Sequence, residues 1–216
     1  MIQIKYFTFN AFSENTYILF DESKNAIVFD PGCYTTQEQK TLKKFIDDNE
    51  LKVKKLINTH CHLDHIFGNS FIADTYDVPL QCHKNEISVL QRAHVAGDLF
   101  GVPVAPQPEF PADYSGFIED NDIIEVGKIK LKAILAPGHS PGSLCFYAEE
   151  EKFMIGGDVL FYGSIGRTDL PGGNHNQLIH SIKTRLLTLP EEVKIYPGHG
   201  PATTIGFEKK YNSFLI

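Results

Sequence analysis

The chain has 216 residues, is 42% hydrophobic and 22% charged, and carries a formal net charge of −7. Such a composition suffices for a buried core and excludes disorder, collagen-like repetition and coiled coil as the main state. The acidic balance, with no run of Lys and Arg, speaks against a nucleic-acid partner, because phosphate contacts supply most of that binding.

No stretch approaches the ~18 apolar residues that a spanning helix needs, so no membrane partner is expected. The opening residues 1–10 scatter Gln3 and Lys5 among apolar positions. A secretion signal would instead have a basic head and an unbroken apolar run. Cys33, Cys61, Cys82 and Cys145 lie far apart and form no CxxC pair. They read as reduced thiols in a cytoplasmic protein.

In chain order, alternating or apolar runs predict strands over 2–9, 16–20 and 26–30, the last ending at the turn Asp30-Pro31-Gly32. Leu42, Phe45 and Ile46 share one face of a helix over 36–49. A strand over 53–58 runs straight into Thr59-His60-Cys61-His62-Leu63-Asp64-His65. A helix over 68–76, a strand over 80–83 and a helix over 84–98 follow. Pro103, Pro106, Pro108 and Pro111 then forbid regular structure through 101–117. That long loop is either a pocket wall or a packed connection. Strands over 123–126, 129–135, 143–149 and 152–156, a helix over 175–188, a strand over 193–196 and a helix over 206–214 complete the pattern. Strand-rich halves flanked by helices imply an α/β or α+β sandwich in one domain spanning 1–216.

Three of the nine histidines fall within His60-x-His62-x-Asp64-His65. In an extended loop, residues two apart point the same way, so His60 and His62 can grip one ion. Asp64 and His65 follow where the chain turns and can face a neighbouring position. Cys61, between them, points away as a buried thiol. Imidazole with carboxylate suits zinc, iron or manganese. Three later apolar strands each deliver a residue of the same kind at a glycine turn: His139 in Pro137-Gly138-His139-Ser140-Pro141-Gly142, Asp158 after Gly156-Gly157, and His199 in Pro197-Gly198-His199-Gly200. Glycines beside the ligands permit sharp turns and close approach. His83, His94, His175 and His180 are left to packing, capping or the surface.

In this order of motifs the chain resembles the metallo-β-lactamase-fold hydrolases, and most closely their glyoxalase II (hydroxyacylglutathione hydrolase) branch. The resemblance runs from Asp30-Pro31-Gly32 to Gly198-His199-Gly200-Pro201-Ala202-Thr203-Thr204. It implies a four-layer αβ/βα sandwich with a two-metal site on one edge. His60, His62 and His139 would hold the first ion, and Asp64, His65 and His199 the second. Asp158 would bridge them, and Asp30 would lie behind and orient a ligand histidine. The C-terminal helical domain that supplies much of the glutathione site in full-length members is not expected, so the chain reads as the short single-domain type.

The implied cofactors are two divalent ions, zinc first, with iron or manganese as substitutes. The implied reaction is hydrolysis of a small-molecule thioester by a hydroxide bridging the two ions, with Asp64 and Asp158 as the catalytic carboxylates. A thiol leaving group, of pKa about 8.5, needs little help from an acid. Arg167, in Gly163-Ser164-Ile165-Gly166-Arg167-Thr168-Asp169, either grips a substrate carboxylate or pairs with Asp169. Asp169 stands where the family has an aromatic. The competing readings are a mononuclear iron persulfide dioxygenase, which shares the Gly-Arg-Thr-Asp segment, and a lactonase or other ester hydrolase of the same fold.

Overall fold

The computed structural model describes residues 1–110 and 116–216. The first half contains strands β1 (Gln3–Phe9), β2 (Glu14–Phe20) and β3 (Asn25–Phe29), helix α1 (Thr36–Asp48) and strand β4 (Lys52–Ile57). Helices α2 (Leu63–Ile66) and α3 (Asn69–Tyr76), strand β5 (Leu80–Gln81), a 3-10 turn at Lys84–Glu86, and helices α4 (Ile87–Gln91) and α5 (Ala93–Phe100) follow. The second half has strands β6 (Ile123–Val126), β7 (Ile129–Leu135), β8 (Leu144–Ala148) and β9 (Phe153–Gly157) and the hairpin β10 (Leu160–Phe161) and β11 (Ser164–Ile165). Helix α6 (His175–Ser181), strands β12 (Lys194–Pro197) and β13 (Thr203–Thr204), and helix α7 (Ile205–Tyr211) close it.

Two sheets result, in the orders β1-β2-β3-β4-β5 and β13-β12-β9-β8-β7-β6. Strict alternation assigns each strand's two faces. Tyr17 and Leu19 of β2, Ile27 and Phe29 of β3, and Leu144, Phe146 and Ala148 of β8 meet in the layer between the sheets. The ring centroids of Phe29 and Phe146 lie 5.0 Å apart across it. The opposite face of the first sheet (Ile18, Phe20, Ala26, Val28) packs on Leu42 and Ile46 of α1 and Ile72 of α3. The opposite face of the second sheet (Cys145, Met154, Ile195) packs on Leu178, Ile182 and Leu186. The layering is therefore the expected αβ/βα sandwich.

Strands β3 and β4 are parallel, as are β9 and β12. Strand β7 points the same way as β9, through two antiparallel steps across β8. The C-terminal ends of β4, β7, β9 and β12, and of β3 before Asp30, therefore deliver their loops to one edge of the sandwich. All four cysteines are free and buried, Cys61 among them. Among the described residues no helix is long and apolar enough to cross a membrane.

Several elements differ from the sequence expectation for local reasons. The predicted helix over 84–98 breaks at Arg92, which has φ −93° and ψ 1° and whose N–H bonds three residues back to the Val89 carbonyl. The predicted helix over 175–188 widens after α6 into a π turn at Ile182–Leu186, with the Leu187 N–H on the Ile182 carbonyl. Strands β10, β11 and β13, of two residues each, are too short to leave a period in the sequence. The proline-rich stretch is irregular where described, and 111–115 lie outside the described residues.

The Phe29–Phe146 contact generates a stability test. Phe146→Ala is expected to cost about 3–5 kcal/mol, the usual price of emptying a buried phenylalanine site. Urea unfolding followed by circular dichroism measures it, and a loss below ~1 kcal/mol would contradict the tight packing of the two sheets.

Candidate metal centre

His60, His62 and His139 come together at the common edge. His139 Nε2 is 2.8 Å from His62 Nδ1 and 3.1 Å from His60 Nε2. Beside them Asp64, His65 and His199 form a second group, with His199 Nε2 3.0 Å from Asp64 Oδ2 and His65 Nε2 3.6 Å from that same oxygen. Within each group the ligand-type atoms all lie within 4.8 Å of one another. Asp158 sits between the groups. Its Oδ2 is 3.6 Å from His139 Nε2 and 3.5 Å from His199 Nε2, and its Oδ1 is 3.5 Å from His65 Nε2.

Local structure explains this convergence. His62 is extended, at φ −68° and ψ 157°, and caps α2, so His60 and His62 leave a straight segment while Asp64 and His65 belong to the first turn of helix. The rings of His60 and His62 meet edge to face, with centroids 4.8 Å apart. The Leu144 N–H donates to the Thr59 carbonyl at 2.8 Å, tying the histidine-rich loop to the other sheet. Asn15 N donates to the Gly198 carbonyl, and its side-chain amide donates to the carbonyls of Pro197 and Gly200. The start of β2 thereby holds the His199 loop.

In four of the five histidines the remaining imidazole nitrogen is fixed by what lies behind it. His139 Nδ1 is 2.7 Å from the Arg167 carbonyl, and His199 Nδ1 is 3.1 Å from the Phe12 carbonyl. A carbonyl only accepts, so both Nδ1 atoms carry hydrogen and both Nε2 atoms face the site. The Thr59 hydroxyl donates to Asp30 at 2.6 Å, which leaves its lone pair for His60 Nδ1 at 3.1 Å. His65 Nδ1 lies 3.1 Å from Asp30 Oδ2. Asp30 thus stands behind His65 directly and behind His60 through Thr59. Ligand histidines are typically oriented in this way.

The electrostatics of the two groups differ. Burial, reinforced by neighbouring imidazoles, pushes His60 well below its ordinary range and His62 down to about 3. Burial likewise lowers His139, against the pull of Asp158. These three rings are neutral at pH 7 and present lone pairs. Burial would also lower His65, but the charges of Asp64, Asp158 and Asp30 outweigh it and hold the ring well above its ordinary value. His199 is raised against its own burial chiefly by its hydrogen bond to Asp64. Burial would raise Asp158, yet the charge of His65 keeps the carboxyl well below its usual range.

The residues present fit metal ions. His65 Nε2 and Asp158 Oδ1 are buried with no hydrogen-bond partner, although both face the centre. Orphaned polar atoms of this kind are costly unless something else satisfies them. Space is reserved as well, since a Cβ on Gly198 would meet Asp158 Oδ1 at 2.1 Å and His65 Cε1 at 2.7 Å. Carboxylate with imidazole and no thiolate is a donor set for zinc, iron or manganese.

Arg167 differs in kind. Its guanidinium forms a bidentate pair with Asp169, Nε to Oδ1 and Nη2 to Oδ2, both at 2.7 Å, and more than half of each side chain is exposed. What reaches the centre is its backbone carbonyl, behind His139. Sequence reasoning missed that carbonyl, the Phe12 carbonyl, Thr59, Asn15 and the fully buried Glu14. Backbone groups leave no trace in residue type, and nothing marks one Asn or Glu at a strand start above another. Glu14 does explain Gly32, where a Cβ would lie 2.0 Å from its Oε2 and 2.6 Å from the Asp64 carbonyl.

Known proteins resemble this chain in sequence and fold. The sequence matches the metallo-beta-lactamase superfamily over residues 10–199. It is 37% identical to a probable metallo-hydrolase, YqgX, of Bacillus subtilis, over 93% of this chain and 92% of that protein. It is 35% identical to the hydroxyacylglutathione hydrolase GloC of Haemophilus influenzae, over 95% of this chain and 94% of that one. Among solved structures, a B3 metallo-beta-lactamase, BLEG-1, aligns over 99% of both chains with a TM-score of 0.88 and 35% identity. TTHA1623, solved in a di-iron-bound form, aligns over 98% of this chain and all of its own, with a TM-score of 0.85 and 32% identity. By its fold, its histidine–aspartate edge and relatives matched along nearly their whole length, this chain belongs to the metallo-β-lactamase superfamily of metal-binding hydrolases.

Proposed function

We propose that the chain is a thioester hydrolase of the hydroxyacylglutathione hydrolase type, using two divalent ions and acting on a small-molecule thioester. The observation that carries this reading is the position of Asp158, within 3.6 Å of histidines from both groups. A carboxylate so placed can serve both ions at once. His60, His62 and His139 would hold one ion, Asp64, His65 and His199 the other. Zinc is the first choice, and the di-iron form of TTHA1623 makes iron the main alternative. Bound divalent ions supply Lewis acidity towards a carbonyl oxygen and bring the pKa of water towards 7.

The chain's own groups fit that chemistry. The three neutral imidazoles offer lone pairs without giving up a proton. Asp64 and Asp158 make His65 and His199 hold protons more tightly, and a proton held there must leave when a cation takes its place. Asp64, held below its ordinary range against burial chiefly by the charge of His65, stays a carboxylate throughout the neutral range.

Beyond the ligand groups, Tyr162 and Arg167 of the loop after Asp158 are turned outward. Tyr162 stacks on Phe207 at 4.6 Å and is 54% exposed, and Arg167 is engaged by Asp169. A leaving group must then depart without a dedicated acid, which suits a thiolate of pKa about 8.5 better than an amine. The similarity to GloC along nearly the whole chain supports an acyl-glutathione as the thioester.

Elemental analysis of the purified protein, with assays on S-lactoylglutathione, other thioesters and a β-lactam, tests the proposal. About two ions per chain and turnover of thioesters are expected. A single retained iron with oxygen consumption would favour the dioxygenase instead, and β-lactam turnover without thioester turnover would place the chain with BLEG-1. Asp158→Ala should keep its circular dichroism spectrum while losing metal and at least ~100-fold in kcat/KM, the upper end of what removing a mere supporting residue costs. Wild-type turnover by this variant would refute the role given to Asp158.

Arg167 can reach a substrate carboxylate only by leaving Asp169, an exposed pair that holds it weakly. If it does so, Arg167→Ala lowers kcat/KM by roughly 10–150-fold on anionic thioesters and spares neutral ones. Lys at this position should rescue only in part, lacking the planar fork. An equal loss on both substrate kinds, with a lower melting temperature, would assign Arg167 a purely structural role.

A further inference from the structure

One buried carboxylate near the centre belongs to neither ligand group. Glu86 closes the 3-10 turn at Lys84–Glu86, between β5 and α4, and is fully buried. Its Oε2 accepts from the Cys61 N–H at 2.8 Å, and its Oε1 accepts from the Gly142 N–H at 2.6 Å. The Ser140 hydroxyl spans both oxygens, at 2.6 and 2.8 Å. Cys61 lies between His60 and His62, and Ser140 follows His139. A single side chain from a third segment therefore grips both loops that carry the three-imidazole group.

We propose that Glu86 is the positioning residue of that group, setting its metal affinity without touching the ion. The inference rests on the two-ion reading above. The two loops come from different sheets, one after β4 and the other after β7, and no strand ladder aligns them with each other. Two of the three donors on Glu86 are backbone N–H groups, so the carboxylate fixes the backbone from which the imidazoles project. The fit leaves little slack, because a Cβ on Gly142 would meet Glu86 Cγ at 2.9 Å and Oε1 at 3.0 Å. Burial raises the Glu86 carboxyl above its ordinary value, and the bonds from Ser140, Cys61 and Gly142 limit that rise by favouring the charged form. No comparable bond runs from Glu86 to Asp64, His65 or His199, so its effect should be confined to one of the two sites.

The test is cadmium and zinc titration of the metal-free wild type, Glu86→Gln, Glu86→Ala and Ser140→Ala, read by calorimetry and by cadmium-113 NMR. The two sites are separable by NMR, since one offers three nitrogens and the other includes a carboxylate from Asp64. Glutamine keeps the volume but presents an N–H2 group to one of the two backbone donors, so it must release one loop.

Glu86→Gln should weaken the three-nitrogen site by about 10–100-fold, the range usual for a group that orients a ligand. The other site should stay within about threefold of wild type, well below that range. Ser140→Ala, which removes one donor and leaves both backbone bonds, should weaken the same site by less. If Glu86→Ala fails to fold, these two variants carry the result.

Wild-type affinity at both sites in Glu86→Gln would overturn the proposal. So would equal weakening of both sites together with a lower melting temperature of the metal-free protein. Uptake of no metal by the wild type would instead overturn the two-ion reading, and this inference with it.

Discussion

The buried carboxylate of Asp30 is the constraint on which the metal edge depends. It accepts from the Thr59 N–H at 2.7 Å and the Thr59 hydroxyl at 2.6 Å, and faces His65 Nδ1 at 3.1 Å. Its backbone sits at φ 45°, in the left-handed region that aspartate tolerates better than most residues. There the Asp30 N–H donates to the Ile57 carbonyl, and the Thr16 hydroxyl donates to the Asp30 carbonyl. The turn after β3 is thus locked to the end of β4 and to β2 before any ligand is positioned. His60 and His65, one from each group, both take their orientation from this one side chain.

The second organising fact is how charge is divided at the edge. Burial keeps the three-imidazole group neutral, whereas Asp64 and Asp158 raise His65 and His199 above their ordinary values. The first group could take a cation as it stands, whereas at the second a cation would compete with protons. Glu14, buried against Thr16 and Gly32, adds a further carboxyl whose burial raises it well above its ordinary value. A centre this rich in acids, with buried nitrogen and oxygen atoms left unpartnered, is more stable with cations than without.

Loops at the end of a sandwich have no ladder to hold them, and this protein repeatedly uses a buried carboxylate where a ladder would otherwise serve. Asp30 joins the β3 turn to the histidine-rich loop, and Glu86 joins that loop to the one after β7. Glu208 of α7 accepts from the Gly163 N–H, from the Thr203 hydroxyl and from the Asn212 amide, fixing the turn that leads to Arg167. An acceptor with several lone pairs can satisfy backbone N–H groups from two or three segments at once, which an apolar side chain cannot do.

The sequence alone determined the sandwich and marked the histidines and aspartates that gather at its edge, because both show in residue type and spacing. Period-two alternation marks the two faces of β2, β3 and β8, and the histidines and aspartates stand directly after apolar strands at glycine turns. It also restricted Arg167 to two roles and named Asp169 as its competing partner. The supporting groups were not legible. Glu86 is 54 residues from Ser140 and 25 from Cys61, so no local pattern connects them. The carbonyls of Phe12 and Arg167 are groups that every residue possesses, and only the fold aims these two at His199 and His139. Tertiary structure alone decided which imidazoles are pushed down and which are pulled up in proton affinity, since that depends on burial and on carboxylates brought close in space from distant points in the chain.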